Sequence, residues 1–462
     1  MSLYGKTYRG LWRLRAGRTG QEIFGQAAAM VAREHLPADA VTAYQLERLR
    51  ALLKHAYRQV PFWRDRMDEA GLDPTRIASL EELALLPPLT KEEVRKHGKE
   101  LVAESYRDGR ARANVTGGST GEPLRFWLDD VQANLSRAAK LRYRRWYGHG
   151  FGERVLYLWG AHRDTAVRGL RGWLRRRLRQ ERWVNAFHLT PEEMSALVKT
   201  LNRWRPSLIV AYPSALQAFA RFMRQRGLSV YAPQAIECSA EKLWPEQRLE
   251  IEAVLQAPVF DVYGSREFGT IAAECPSHEG LHIFNDLHIV EVVHDGHPAQ
   301  PGEVGEILVT CLTNYAMPFI RYRIGDLGIL SGEQCSCGRT LPLFKEVVGR
   351  SNAVLSLPDG TVVHGAFFSY FFYHQPGVER YRVRQRAKTS VEVLVQGDHL
   401  LTTERLAQME QELEHRLGGQ IQVHCHRVEQ IDPLPSGKLG YLLSEVAVDF
   451  VNIPSEHKDP RQ

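Results

Sequence analysis

Long apolar runs are missing from this chain of 462 residues. Nothing in it approaches the roughly 20 consecutive apolar residues that cross a bilayer as a helix, so no transmembrane segment is expected. The opening stretch, MSLYGKTYRGLWRLRAGRTG, is broken by arginines before an apolar signal core forms, and a cytoplasmic location is the expectation. Cysteine is scarce as well. The six present are scattered apart from Cys335-Ser336-Cys337, which excludes the disulfide framework of a small secreted domain. No internal repeat is present. The excess of positive charge is small, a net +6, and aromatic residues do not interleave with the basic ones as in a single-strand binder, so no nucleic-acid partner is expected.

What is present describes a globular protein of two or three domains: 44% hydrophobic and 25% charged residues. The charge is uneven. Arg168 to Arg179 (RGLRGWLRRRLR) is the densest basic patch and Lys140 to Arg145 the second; a solvated helix face is the first reading of both, with nucleic acid, a membrane surface or a phosphorylated substrate as the others.

Helical spacing of apolar residues marks Gln45 to Met67, and Thr90 is placed to cap the segment KEEVRKH after the stiff connector LPPLTK. Short apolar runs at Val155 to Trp159, Ser207 to Pro213, Ala235 to Ala240 and Pro258 to Gly264 then alternate with amphipathic stretches at Glu192 to Trp204 and Ala215 to Arg226. That order predicts an α/β layered domain with a largely parallel sheet. Ligands of such sheets gather at the carboxyl ends of the strands, where Tyr212, Ser239, Glu241 and Tyr263 to Glu267 fall. From Glu274 strands and turns dominate, predicting a β-rich subdomain over about 271–350. Beyond Arg350, strands at Arg380 to Gln385 and Val391 to Val395 and a helix carrying Leu406, Met409, Leu413 and Leu417 predict a small α+β domain, 351–462, with a polar tail.

Two stretches carry chemistry by composition alone. Thr116, Gly117, Gly118, Ser119, Thr120 and Gly121 combine hydroxyls and backbone N–H groups that can surround an anion. Glu122 and Pro123 follow instead of the Gly-Lys-Ser/Thr of a Walker loop, so a phosphate loop inside a β-hairpin is predicted, with a plain turn as the competing reading. Cys335 and Cys337 can share one metal ion, and Cys275 with His282, or with His278, offers the remaining ligands; this donor set favours structural zinc.

Four stretches in order, TGGSTGEP at Thr116, DVYGSREFG at Asp261, RYRIGDL at Arg321 with VGR at Val348, and LPSGKLG at Leu434, resemble the adenylate-forming superfamily of acyl-CoA synthetases, adenylation domains and luciferases. The branch they resemble most is that of phenylacetate–CoA ligases and related proteins of capsule-polysaccharide clusters; LLKHAYRQVPFWRDRM and LPPLTKEEVRKH share that likeness. The resemblance implies a large N-terminal domain, 1–350, and a small mobile C-terminal one. It implies attack of a carboxylate on the α-phosphate of ATP to give an acyl-adenylate, then transfer to CoA, or to an amine or hydroxyl. By the same likeness Thr116 to Gly121 would hold the β- and γ-phosphates, and Tyr263, with Gly264 and Ser265, the adenine. Glu267 would bind Mg²⁺, Asp326 and Arg350 the ribose side, and Lys438 the α-phosphate and the attacking carboxylate. The chain departs from the pattern at Ile324 and at Ser351-Asn352, where the family has an acidic hinge. That second departure puts the acceptor in question and is why the amine or hydroxyl alternative is kept. A noncatalytic nucleotide-binding scaffold is the rival of another class, opposed by the retention of Glu267 and Lys438. The sequence is compatible with a homo-oligomer and does not name the acid; Trp159, Tyr212 and Ser239 are the candidates for its pocket.

Overall fold

A computed structural model describes residues 21–115, 124–159, 176–186, 189–350, 354–359, 362–364, 367–368, 371–372, 375–432 and 441–446. Two compact units emerge. One comprises the described residues through Glu291 with Leu308–Ile324 and Leu330–Glu346; the other comprises Val292–Ile307, Gly325–Ile329 and the described residues from Val347 onward.

The first unit opens on helices. Residues 21–33 are helical, and Ala38–Gln59 buries Val41, Leu49, Leu52, Leu53 and Ala56 along one face. The continuous helix suggested by the spacing is instead two: Val60 is extended and Pro61 starts a new helix, Pro61–Glu69, as expected where proline excludes the helical conformation from the residue before it. Thr90 does cap Lys91–His97, with Glu93 reaching back to complete a capping box.

Strands β1 (Arg112–Val115) and β2 (Arg125–Leu128) pair antiparallel. The predicted hairpin is therefore present on both sides of the Gly-rich stretch, while residues 116–123 lie outside those described. Asp129 caps the helix Asp130–Arg144, accepting from the Gln132 N–H at 2.7 Å.

The strands that follow are β3 (Val155–Leu158), β4 (Glu181–Val184), β5 (Leu208–Ala211), β6 (Ala235–Ser239) and β7 (Val259–Ser265). They pair parallel in the order β4-β3-β5-β6-β7, separated by the helices Pro191–Trp204, Pro213–Gln225 and Pro245–Leu255. Strands covered on both faces need apolar residues throughout, and Leu208–Ala211 is buried at every position. The sheet turns antiparallel at β8 (Gly269–Glu274), β9 (Leu281–Ile283) and, further along the chain, β14 (Leu343–Arg350). Between them lie β10 (His288–His294), β11 (His297–Pro298), β12 (Val304–Cys311) and β13 (Tyr322–Leu330), the β-rich stretch the sequence predicts.

In the second unit, β15 (Val354–Ser356) pairs with β16 (Val362–His364). The strands β17 (Val378–Ala387), β18 (Ser390–Gly397), β19 (Gln422–Arg427) and β20 (Leu442–Ser444) form a four-stranded sheet in the order β19-β18-β17-β20. The helix Thr403–Arg416 places Met409 and Leu413 in a core with Val383, Val393 and Val423.

Candidate active site and metal centre

Parallel pairing brings the carboxyl ends of the central strands into one row. Leu158 stands beside Ala211, Ala211 beside Cys238, and Ser239 beside Val262. Trp159 and Tyr212 directly follow β3 and β5, Ser239 ends β6, and Tyr263 lies two residues before the end of β7, the region where ligands of open α/β sheets bind. The rings of Trp159 and Tyr212 stack on one another at 4.3 Å and 19°. Ser239 donates its hydroxyl to the Val262 carbonyl at 2.6 Å, tying β6 to β7. Glu241 accepts from the Ser214 N–H at 3.2 Å, at the first turn of Pro213–Gln225, so it has a structural task of its own.

The β7–β8 hairpin holds the segment Tyr263 to Glu267. The Tyr263 ring meets Phe344 edge-on at 5.9 Å. A Cβ on Gly264 would lie 2.2 Å from the Gly269 carbonyl oxygen, so only glycine lets the hairpin close there. Ser265 accepts from the Phe268 N–H at 3.3 Å, and the Glu267 carboxylate is buried. Asp326 is a buried carboxylate within β13, and Arg350 is the last residue of β14. Thr116, Gly117, Gly118, Ser119, Thr120, Gly121 and Lys438 lie outside the described residues.

Cys275, His282, Cys335 and Cys337 do come together: their ligand atoms all lie within 4.8 Å of one another. The Cys275 and Cys335 sulfurs are 3.6 Å apart and Cys337 Sγ is 3.4 Å from His282 Nε2. Tetrahedral bonds of about 2.3 Å to sulfur and 2.0–2.1 Å to nitrogen would put such pairs about 3.8 and 3.6 Å apart, so the cluster fits zinc with little adjustment. Burial pushes the Cys275 thiol up and Cys335 up to about 12, whereas at Cys337 burial is outweighed by hydrogen bonds from Arg339, which hold it below the ordinary value. Burial lowers His282 to about 4, leaving a neutral imidazole. His278 is engaged elsewhere, 3.1 Å from Glu274 Oε1 and stacked on Phe260.

The loop that carries Cys335 and Cys337 is also bound to the N-terminal helices. Arg339 donates to Glu34 at 3.0 Å, the Thr340 N–H donates to the Glu34 carbonyl at 2.8 Å, and Trp146 Nε1 donates to the Glu34 carboxylate at 3.0 Å.

A second buried cluster escaped the sequence reading. Glu237, in the middle of β6, accepts from Arg144 Nε and Nη2 at 2.8 and 3.2 Å, from the Tyr143 hydroxyl at 3.1 Å and from the Tyr147 hydroxyl at 2.9 Å. Burial raises its pKa, but the Arg144 charge prevails and keeps it ionised. The only trace in the sequence is an acid within the apolar run AIECS.

No family model matches the chain. The fold is similar to solved adenylate-forming ligases: 2-hydroxyisobutyryl-CoA ligase in complex with an acyl-AMP superposes with a TM-score of 0.70 at 20% identity, covering 86% of this chain and 87% of that one. An amide bond synthetase from Marinactinospora thermotolerans shares the fold at a TM-score of 0.51 and 15% identity, over 71% of this chain and 66% of its own. Among curated proteins, phenylacetate-coenzyme A ligase of Thermus thermophilus is 30% identical over 349 residues, 70% of this chain and 73% of the relative. CapK of Staphylococcus aureus is 21% identical over 416 residues, 87% of this chain and 89% of its own. The architecture is that of the AMP-forming ligases, and within that class the chain belongs to the phenylacetate–CoA ligase family.

Proposed function

We propose that this chain uses ATP to activate a carboxylic acid as its acyl-adenylate and passes the acyl group to CoA. The observation that carries this reading is the 30% identity to a phenylacetate–CoA ligase across 70% of the chain, with the four motif stretches in the family's order. The roles follow from chemistry. The stretch Thr116 to Gly121 takes the departing phosphates, and Tyr263, Gly264 and Ser265, the last three residues of β7, take adenine. Glu267 holds Mg²⁺, which offsets the charge of the phosphates. Asp326 accepts from the ribose hydroxyls with Arg350 on the same side of the nucleotide, and Lys438 brings a cation to the reacting phosphate. We assign 1–350 to the large domain and 351–462 to the lid. Zinc at Cys275, His282, Cys335 and Cys337 has a structural task, since four protein ligands leave no open position for substrate.

ATP–pyrophosphate exchange over a broad panel of carboxylic acids tests the first step. At least one acid should support exchange, and Lys438→Ala should slow it by about 10²–10³, the usual cost of losing a charge aimed at a transition state. Exchange at the wild-type rate in that variant would remove Lys438 from the mechanism.

A further inference from the structure

Among the described residues, β4 is the outermost strand at the parallel end of the sheet. Around it the structure gathers arginines and exposed apolar side chains to which the proposed function gives no role. Arg154 joins the pieces: its Nε donates to Gln180 Oε1 at 3.3 Å and its Nη1 to the Trp204 carbonyl at 2.6 Å. The Arg182 guanidinium lies over the Trp204 indole at 4.7 Å, and Arg176 lies over Trp183 at 4.8 Å. On the next turn of chain, Arg205 covers the Tyr231 ring at 5.5 Å, and Tyr231 is tied to Asn202 by its backbone N–H at 2.6 Å. Arg154, Arg177, Arg182, Arg203 and Arg205 are all exposed. Glu181, 4.0 Å from Arg179, is the acid within this group. Burial and then the like charges of Arg154, Arg177 and Arg203 hold the Arg182 pKa below its ordinary value.

Apolar side chains share this edge. Leu178, Leu228 and Tyr231 are 40%, 36% and 42% exposed, three of the seven large apolar side chains exposed among the described residues. Arginines alone would serve to keep a sheet edge from pairing with another copy. Exposed leucine and tyrosine beside them do not serve that end. Brought together by the fold and not by sequence pattern, arginines lying against tryptophan and tyrosine rings beside exposed leucines are suited to the surface of an anionic bilayer: the cations meet headgroup phosphates, and the amphipathic rings and leucines enter the interfacial layer.

We propose that the β4 edge, with Arg177, Arg182, Arg203 and Arg205 as its charged contacts and Leu178, Leu228 and Tyr231 as its apolar ones, docks the protein reversibly on membranes rich in anionic phospholipid.

The test is co-sedimentation of the full chain with vesicles of phosphatidylcholine alone or containing 30% phosphatidylglycerol. Partitioning should appear with phosphatidylglycerol and weaken as salt rises. A basic residue near such a surface is worth about fivefold in partitioning, so the triple variant Arg177→Gln/Arg182→Gln/Arg203→Gln should lose about a hundredfold. Leu178→Ser/Tyr231→Ser should weaken binding with no change in salt dependence. The control Arg384→Gln/Arg405→Gln/Arg416→Gln removes equal charge elsewhere and should bind as wild type. Equal binding to both vesicle types, equal losses in the two triple variants, or retained binding in the first would overturn the proposal. So would binding abolished by millimolar inorganic phosphate, which would make the edge a site for a soluble anion.

Discussion

Replacing Glu237 with alanine should be among the most damaging single changes in the first unit. The carboxylate is 5% exposed and its partner Arg144 is 11% exposed, so removing the acid leaves a guanidinium with little water and no counter-charge. Breaking such a pair costs about 3–5 kcal/mol. The hydroxyls of Tyr143 and Tyr147 lose their acceptor in the same step, adding about 1–3 kcal/mol for each that stays dry. Water entering the vacated space offsets part of this, and about 5 kcal/mol is the expected net loss. Urea unfolding of Glu237→Ala against wild type reads it directly. The pair Glu237→Leu/Arg144→Met removes both charges and should recover at least about 2 kcal/mol relative to the sum of the separate changes, because neighbours in one network are not additive. A loss below about 1 kcal/mol in the single variant, or strict additivity in the double, would refute the claim that this network anchors the helix Asp130–Arg144 on β6.

Two further outcomes are expected. Protein purified without chelator should contain about one zinc per chain on its four-ligand site, and Cys335→Ser should lower both metal content and melting temperature; zinc-free wild-type protein of equal stability would contradict the assignment. Stability should also fall in acid because of two buried histidines. Burial lowers His149 to about 3 and His288 to about 4. Between those values and about 6.5 the unfolded chain therefore binds protons that the folded chain does not. Their contribution is complete above about pH 6.5 and fades as pH falls, by about 2 kcal/mol for each histidine at pH 5. A smaller drop in urea midpoint between pH 7 and pH 5 in His149→Gln/His288→Gln than in wild type would support this; equal drops would count against it.

The sequence made legible whatever rests on local pattern. Alternating apolar runs and amphipathic stretches placed β3, β5, β6 and β7 and the helices Pro191–Trp204 and Pro213–Gln225, because burial on both faces demands continuous apolar strands. Thr90 was readable as a cap from its place before KEEVRKH, and the Cys/His cluster from thiols one residue apart. Pairings made across the fold left no such pattern. Glu237 meets Arg144 across 93 residues and Glu34 meets Arg339 across 305; Glu34 does not differ locally from a surface residue, and Glu237 shows only as an acid in an apolar run, with nothing nearby to name its partner. The break at Val60 was missed because apolar spacing continues through Pro61, and only the backbone constraint of proline ends the first helix. Trp159 and Tyr212 were readable as strand-end aromatics, but that they stack on each other depends on β3 and β5 being neighbours.

The central claim concerns the acyl acceptor, and the most direct measurement follows AMP release from preformed acyl-adenylate by mass spectrometry after separate additions of CoA and of amines. Saturable release with CoA, accompanied by a stable thioester, is the result this account predicts. Release with amines or hydroxyl compounds and none with CoA would contradict it and would make the chain an amide- or ester-forming member of its family.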